Sequence, residues 1–114
     1  MSDQLARYLD MAASEAKLTA ANMANIDTPG YRAAGMDFDA EMRNALKGVD
    51  LGTAASPVHV GRVDGLIVRP DGNDVSMDRE SLNLAEAQLR FKTGVALLRQ
   101  EDQRVMDAIH ADSK

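Results

Sequence analysis

The chain has no cysteine and no tryptophan, and its aromatic residues come down to two Phe and two Tyr. The missing thiols exclude disulfides and thiolate metal sites but leave the compartment open. The scarcity of aromatics leaves few large core anchors. Seven Met and many Ala stand in their place, a composition suited to adaptable packing between helices. No apolar run approaches the roughly 20 residues needed to span a bilayer. No basic segment followed by an apolar one opens the sequence, so no cleavable secretory signal is expected. The formal charge is −5, with acidic and basic residues interleaved, and the concentrated basic face of a nucleic-acid binder is missing. These features fit a cytosolic protein, and equally one exported without a cleaved signal. At 114 residues the chain makes one small domain or less than a self-sufficient one, because chains this short bury a limited share of their surface. Much of its stability is expected to come from neighbouring subunits.

What is present divides into three parts. From about Ser2 to Met23 the pattern is one helix, and the N-terminal helical arm is taken to residue 27. Leu5, Leu9, Ala12, Ala16, Thr19, Met23 and Ile26 fall at alternating spacings of four and three, the period of a coiled-coil seam. The buried face of a bundle helix has the same pattern. The arm closes in Ala21-Asn22-Met23-Ala24-Asn25-Ile26-Asp27-Thr28-Pro29-Gly30-Tyr31-Arg32. Pro29 fixes φ for the second position of a turn, and Gly30 accepts the positive φ that a type II turn requires at the third. Thr28, before proline, is pushed out of the helical region. Asn25 tolerates a left-handed conformation and so is expected to end the helix.

The middle, residues 28–77, reads as an extended connector. Phe38, Met42, Ala45 and Leu46 mark a short amphipathic helix with Asp37 as N-cap and Gly48 as stop. Gly52, Ser56, Pro57, Gly61 and Gly65 then interrupt any regular pattern. Leu66-Ile67-Val68 suits a brief strand before the turn-forming Asp71-Gly72, which leaves room for a small β-hairpin. The third part is a long helix over 78–112. Asp78 is expected to cap it, Glu80 to favour its positive end, and Met77 to staple onto Leu82. Only Gly94 weakens it, by on the order of 1 kcal/mol relative to alanine, and its length should be about 50 Å. Leu84, Phe91, Val95, Leu98, Val105 and Ile109 form one stripe, widened by Leu82, Ala85, Leu89 and Ala96. A face so broad can touch more than one neighbour. Gln88 and Asp102 interrupt it, which argues against a simple two-stranded zipper.

Chemistry is hard to place on these residues. His59 and His110 are far apart in sequence, and without thiols or a close His–carboxylate spacing no metal site is expected; His59 reads as an ordinary loop residue. The group Asp71, Asn73, Asp74 and Asp78 has its glycine misplaced for a calcium loop and lacks the closing glutamate, so a turn followed by a helix cap explains it better. Ser14, Ser56, Ser76 and Ser81 lack a nucleophile-elbow setting, and no phosphate-cradling glycine loop precedes a helix. Glu86 and Arg90 stand in the favourable i,i+4 order of a solvated helix pair. Neither a catalytic residue nor a cofactor is assigned.

The string around Pro29-Gly30 resembles the N-terminal signature of the rod and hook axial proteins of the bacterial flagellum. Asn22, Asn25, Thr28, Pro29, Gly30 and Tyr31 match its Ala-Asn-rich run followed by Asn-x-x-Thr-Pro-Gly-Tyr. Gly72-Asn73-Asp74-Val75-Ser76-Met77-Asp78-Arg79-Glu80, the helix with Gln88-Leu89-Arg90-Phe91, and Asp37-Phe38 are similar to the proximal-rod family in particular. The chain is also too short to carry the inserted domains of other rod and hook proteins. One departure is the short lead before the first helix, where relatives have a longer segment.

The resemblance implies a mainly α structural subunit, a single axial domain over residues 1–114. Its terminal helices, 2–27 and 78–112, pack as an antiparallel coiled-coil-like hairpin and form the inner helical layer, joined by the connector 28–77. It implies export through the flagellar type III apparatus without processing, and polymerisation above the membrane-embedded ring around the export channel. The implied partners are other copies, other rod proteins, ring and adaptor proteins and the export apparatus, with no nucleic acid, membrane span or cofactor. Leu5, Leu9, Met23, Leu84, Phe91, Val95, Leu98, Val105 and Ile109 are the expected assembly face. Another small flagellar axial protein, or a cytosolic helical-hairpin adaptor binding one partner through the same stripes, is the competing expectation.

Overall fold

A computed structural model of the protein describes residues 3–50 and 58–112. Helix α1 (Asp3–Ala24) is followed by a short strand β1 (Ala34–Gly35), helix α2 (Phe38–Asp50), strand β2 (Gly61–Arg62) and the long helix α3 (Met77–Asp112). The chain is mainly helical, as expected, and elongated, with principal extents of 70 × 28 × 17 Å. The long axis follows α3, whose 36 residues span about 54 Å at 1.5 Å per residue.

The terminal helices lie antiparallel. Three contacts fix their register: Asn22 reaches Glu80, Glu15 reaches Arg90, and Leu9 lies against Gly94. On α3 the buried positions are Glu80, Ala87 and Gly94, which repeat at the heptad interval expected of a coiled-coil seam. Small residues at the last two let the helices approach closely. A Cβ on Gly94 would sit 2.4 Å from Leu9 Cδ2 and 3.2 Å from Tyr8 Cδ1. Gly94 is therefore the notch into which α1 packs, and the helix continues through it.

Around this pair the core is small. Met11, Ala12 and Phe38 are buried together, with Tyr8, Met36, Met42 and Val58 packed against them. Phe38 meets Tyr8 edge to face, with centroids 5.5 Å apart at 85°, a favoured geometry for aromatic pairs. The Arg90 guanidinium carbon sits 4.1 Å from the Phe38 ring centre, a cation–π contact that ties α2 to α3. Two of the chain's few aromatics thus anchor one spot. Asp37 caps α2 as expected, its Oδ1 accepting the Ala40 N–H at 3.1 Å. The helix runs past Gly48 to Asp50, so that glycine does not stop it. Gly52, Ser56 and Pro57 lie outside the described residues.

Several local expectations change. Leu66-Ile67-Val68 is not a strand. The small antiparallel sheet pairs β1 with β2, Ala34 opposite Arg62 and Gly35 opposite Gly61, and so joins the two ends of the connector helix. Ile67 is 90% exposed, and among the described residues no strand pairs with this apolar, β-branched tripeptide. The cap of α3 is Ser76, whose Oγ accepts the Arg79 N–H at 3.4 Å; Asp78 sits in the first turn instead. That shift moves the staple positions by two residues, and Met77 and Leu82 are both exposed. Asn25 ends α1 without a left-handed backbone, since no described residue other than glycine has positive φ. Its side chain does the work: Nδ2 donates to the Ala21 carbonyl at 2.8 Å, and Oδ1 accepts the Thr28 hydroxyl at 3.0 Å.

Candidate assembly interface and the clasp that positions it

The turn after α1 forms as its residues dictate. Gly30 has φ of 75° and the Tyr31 N–H donates to the Thr28 carbonyl at 3.2 Å, with Pro29 and Gly30 in the second and third positions of a type II turn. A second tight turn, Arg69-Pro70-Asp71-Gly72, closes with the Gly72 N–H on the Arg69 carbonyl at 2.9 Å. The two turns stack. The Gly30 N–H donates to the Asp71 carbonyl at 2.7 Å, and a Cβ on Gly72 would stand 3.2 Å from the Gly30 Cα. Gly72 also has φ of 84°, so backbone conformation and space both require glycine there.

Side chains bolt the stack together. Asn73 is fully buried; its Nδ2 donates to the carbonyls of Asn25 and Thr28, both at 2.8 Å, and its Oδ1 accepts the Val75 N–H at 2.8 Å. Arg69 donates to the carbonyls of Ile26 and Val75. The Asp74 carboxylate accepts the Ala33 N–H at 2.5 Å and the Arg32 Nε–H at 2.9 Å. Burial pushes this carboxyl up, but the Ala33 N–H and the Arg32 guanidinium outweigh it and hold the group below the ordinary aspartate value. Asp71 Oδ1 accepts the Asn73 N–H at 3.0 Å, so Asp71, Asn73 and Asp74 are all spent inside the clasp. Asp78 stands apart on α3.

Asn22 connects this clasp to the helix pair. Its Nδ2 donates to the Ala34 carbonyl at 2.8 Å and to Glu80 Oε1 at 3.1 Å, while its Oδ1 accepts the Ala34 N–H at 3.0 Å and the Tyr31 hydroxyl at 3.3 Å. One buried amide therefore joins α1, the turn, β1 and α3. Glu80 also receives Arg79 at 3.0 Å on Oε1, and its Oε2 is buried without a hydrogen-bond partner. Arg90 does not serve the local Glu86 pair; it donates to both oxygens of Glu15 across the helices, at 2.8 and 2.7 Å. Burial is the largest influence on Glu15 and raises its carboxyl above the ordinary range against the pull of Arg90. His59 is more than a loop residue: its Nδ1 and its backbone N–H both meet buried Glu41 Oε1, at 2.9 and 3.0 Å, tying the segment before β2 to α2.

Along α3 some apolar surface is buried against α1 and some is left uncovered. Of the nine residues expected to form an assembly face, Leu5, Leu9, Met23, Leu84, Val95 and Leu98 are half-buried along the helix pair. Phe91, Val105 and Ile109 are 45, 54 and 55% exposed. Leu82 and Leu89 are also exposed, on the side of α3 turned from α1. The six residues of the turn motif are all in the clasp region, and Asn22 makes the longest-range contacts among them. Local rules did not reveal Asn73, Asp74 and Glu80 as their partners. The one available signal was that these three stand within the second segment matching the family pattern.

A long antiparallel helix pair, a connector clasped by two stacked turns to the end where it joins the helices, and apolar flanks left uncovered define a helical-hairpin protein. No protein-family profile matches the chain. It is 32% identical to the flagellar basal body rod protein FlgB of Salmonella typhimurium over 120 residues, covering 89% of this chain and 86% of that protein. It is 33% identical to the protein of the same name from Cereibacter sphaeroides over 123 residues, 96% of each. A third such protein, from Yersinia enterocolitica, is 32% identical over 108 residues, 79% of each. The chain belongs to the FlgB family of flagellar basal body rod proteins.

Proposed function

We propose that the chain is a non-catalytic structural subunit of the proximal rod. Residues 2–27 and 78–112 form its share of the inner helical layer around the export channel, and 28–77 is the outer connector. The subunit leaves the cytoplasm through the flagellar export apparatus without processing. It assembles in the periplasmic space with other copies, other rod proteins and the ring and adaptor proteins, and the finished rod transmits torque. The observation that carries this reading is the interlock of the two motif segments, in which Asn73 and Asp74 bind the backbone of the turn around Pro29-Gly30. The residues that resemble the rod signature thereby act as one unit, which fixes the angle at which the connector leaves the helix pair. No described helix is long and apolar enough to cross a membrane.

The test is genetic. A strain lacking the chain should be non-motile and yield basal bodies that stop before the rod, with both defects restored by the full-length chain. Complete rods in the deletion strain would overturn the reading.

A further inference from the structure

Beside the seam, α1 and α3 leave an apolar groove of about 470 Å³. Ala12, Ala13 and Ala16 line it from α1 and Ala87, Gln88 and Phe91 from α3, with Lys92 at its edge. Its walls repeat at i,i+4 on both helices, as Ala12 and Ala16 and as Ala87 and Phe91, so it is shaped to receive side chains spaced by one helical turn from a third helix. Lys17, exposed one turn after Ala13, adds a second lysine to the rim, and Asp10, exposed one turn before Ala13, marks its other end.

The same chain carries a matching ridge. Val105 and Ile109 stand one turn apart on α3 and are 54 and 55% exposed. Asp102 lies three residues before Val105 and Asp112 three after Ile109, so both carboxylates share the helical face of the apolar pair. Met106, also exposed, widens this ridge, whereas exposed Leu82 and Leu89 are flanked by Asp78, Glu86 and Lys92, a mixed set that does not complement a lysine rim.

We propose that Val105 and Ile109 of one copy seat in this groove of a second copy, with Asp102 and Asp112 against the Lys92 and Lys17 rim. The proposal rests on the rod reading and specifies a contact between subunits. Ridge and groove occupy different parts of one chain, so the contact is head-to-tail, each copy offering a free ridge and a free groove to the next.

The absence of native cysteine makes cross-linking clean. Ala13→Cys and Ile109→Cys are placed on separate copies and co-expressed in a strain that makes complete basal bodies, which are then mildly oxidised. The expected result is a mixed disulfide dimer several-fold more abundant than the dimer from either variant alone. Complete rods with no such excess, or a cross-link only to a different protein, would overturn the contact and leave the rod reading standing. Complete rods in the deletion strain would sink the rod reading itself. Independently, Lys92→Glu and Asp102→Lys should each weaken self-association of the purified chain by about tenfold, and the double variant should recover most of it. Unchanged association in both single variants, or no recovery in the double, would overturn the pairing.

Discussion

Asn22 and Glu80, 58 positions apart in sequence, meet at 3.1 Å between Nδ2 and Oε1, and through them the end of the first helix is joined to the first turn of the last. The Asn22 amide is 1% exposed and makes contacts on both its oxygen and its nitrogen. Truncating it to Ala takes the side-chain partner from both the Ala34 N–H and the Ala34 carbonyl and removes one of the two donors to buried Glu80 Oε1, which keeps Arg79. A buried group left unpaired costs about 1–3 kcal/mol. Asn22→Ala should therefore lower stability by about 3 kcal/mol in urea unfolding. Tyr31→Phe, which removes one long hydrogen bond of 3.3 Å, should cost less than about 1 kcal/mol.

The stacked turns separate two penalties that glycine avoids. Gly30 has positive φ, but a Cβ there meets nothing within 4 Å, so Gly30→Ala should cost only the backbone term, about 1 kcal/mol. Gly72→Ala adds a 3.2 Å approach to the Gly30 Cα, which is backbone and cannot swing aside, and should cost roughly twice as much. Gly30→Val, β-branched at positive φ, should impair assembly more than export, because the early chain is unchanged. Thermal unfolding of the alanine variants and fractionation of a Gly30→Val strain check these outcomes. Equal losses for the two alanines would show that the turns do not press on each other.

Acid should open the clasp in a defined direction. The folded-state pKa of Asp74 lies below its ordinary 3.8, so its contribution to stability is present above that value and is lost as pH falls through the folded pKa. Glu15 has the opposite sign: its folded pKa lies above 4.5, so its favourable contribution is present below 4.5 and is lost as pH rises through the folded value. The stability gap between wild type and Asp74→Asn should therefore be full at neutral pH and shrink below about pH 3.8, measured by urea unfolding across pH. A gap that stays constant down to pH 2 would show that the ionised carboxylate is not what holds Ala33 and Arg32.

The parts of this fold legible in the sequence are those set by a few adjacent residues. Pro29-Gly30 demands its turn and Asp37 its cap wherever they sit, and the long apolar periodicities require the two terminal helices. Local spacing misleads where the partner is distant. Gly94 by local rules only weakens a helix, yet it is the notch that admits Leu9 and Tyr8. Glu80 resembles an ordinary acidic residue at a helix start, yet it is fully buried against Asn22. Arg90 has Glu86 one turn away and reaches Glu15 instead, where its Nη1 donates to both carboxylate oxygens and its guanidinium lies over the Phe38 ring. Asn73 and Asp74 read as turn-formers until the other turn is laid against them. In each case the deciding term is a tertiary contact that spacing along the chain does not encode.

Phe91 and Leu98 test the distinction between a private core and a shared face. They stand two turns apart on α3, Phe91 45% exposed and Leu98 half-buried, and neither belongs to the buried cluster of Met11, Ala12 and Phe38. Truncating a buried Phe or Leu to Ala costs about 2–5 kcal/mol, and a side chain left half-exposed in the monomer incurs only part of that loss on folding. The remainder falls on whatever covers it in the assembly. Phe91→Ala/Leu98→Ala should therefore leave a soluble, exportable chain, with monomer unfolding shifted by about 2 kcal/mol or less, and should abolish rod formation. Basal-body preparations and monomer unfolding measured on the same variant discriminate the cases. Intact rods would remove these residues from the assembly face, and loss of the folded monomer would place them in the subunit's own core.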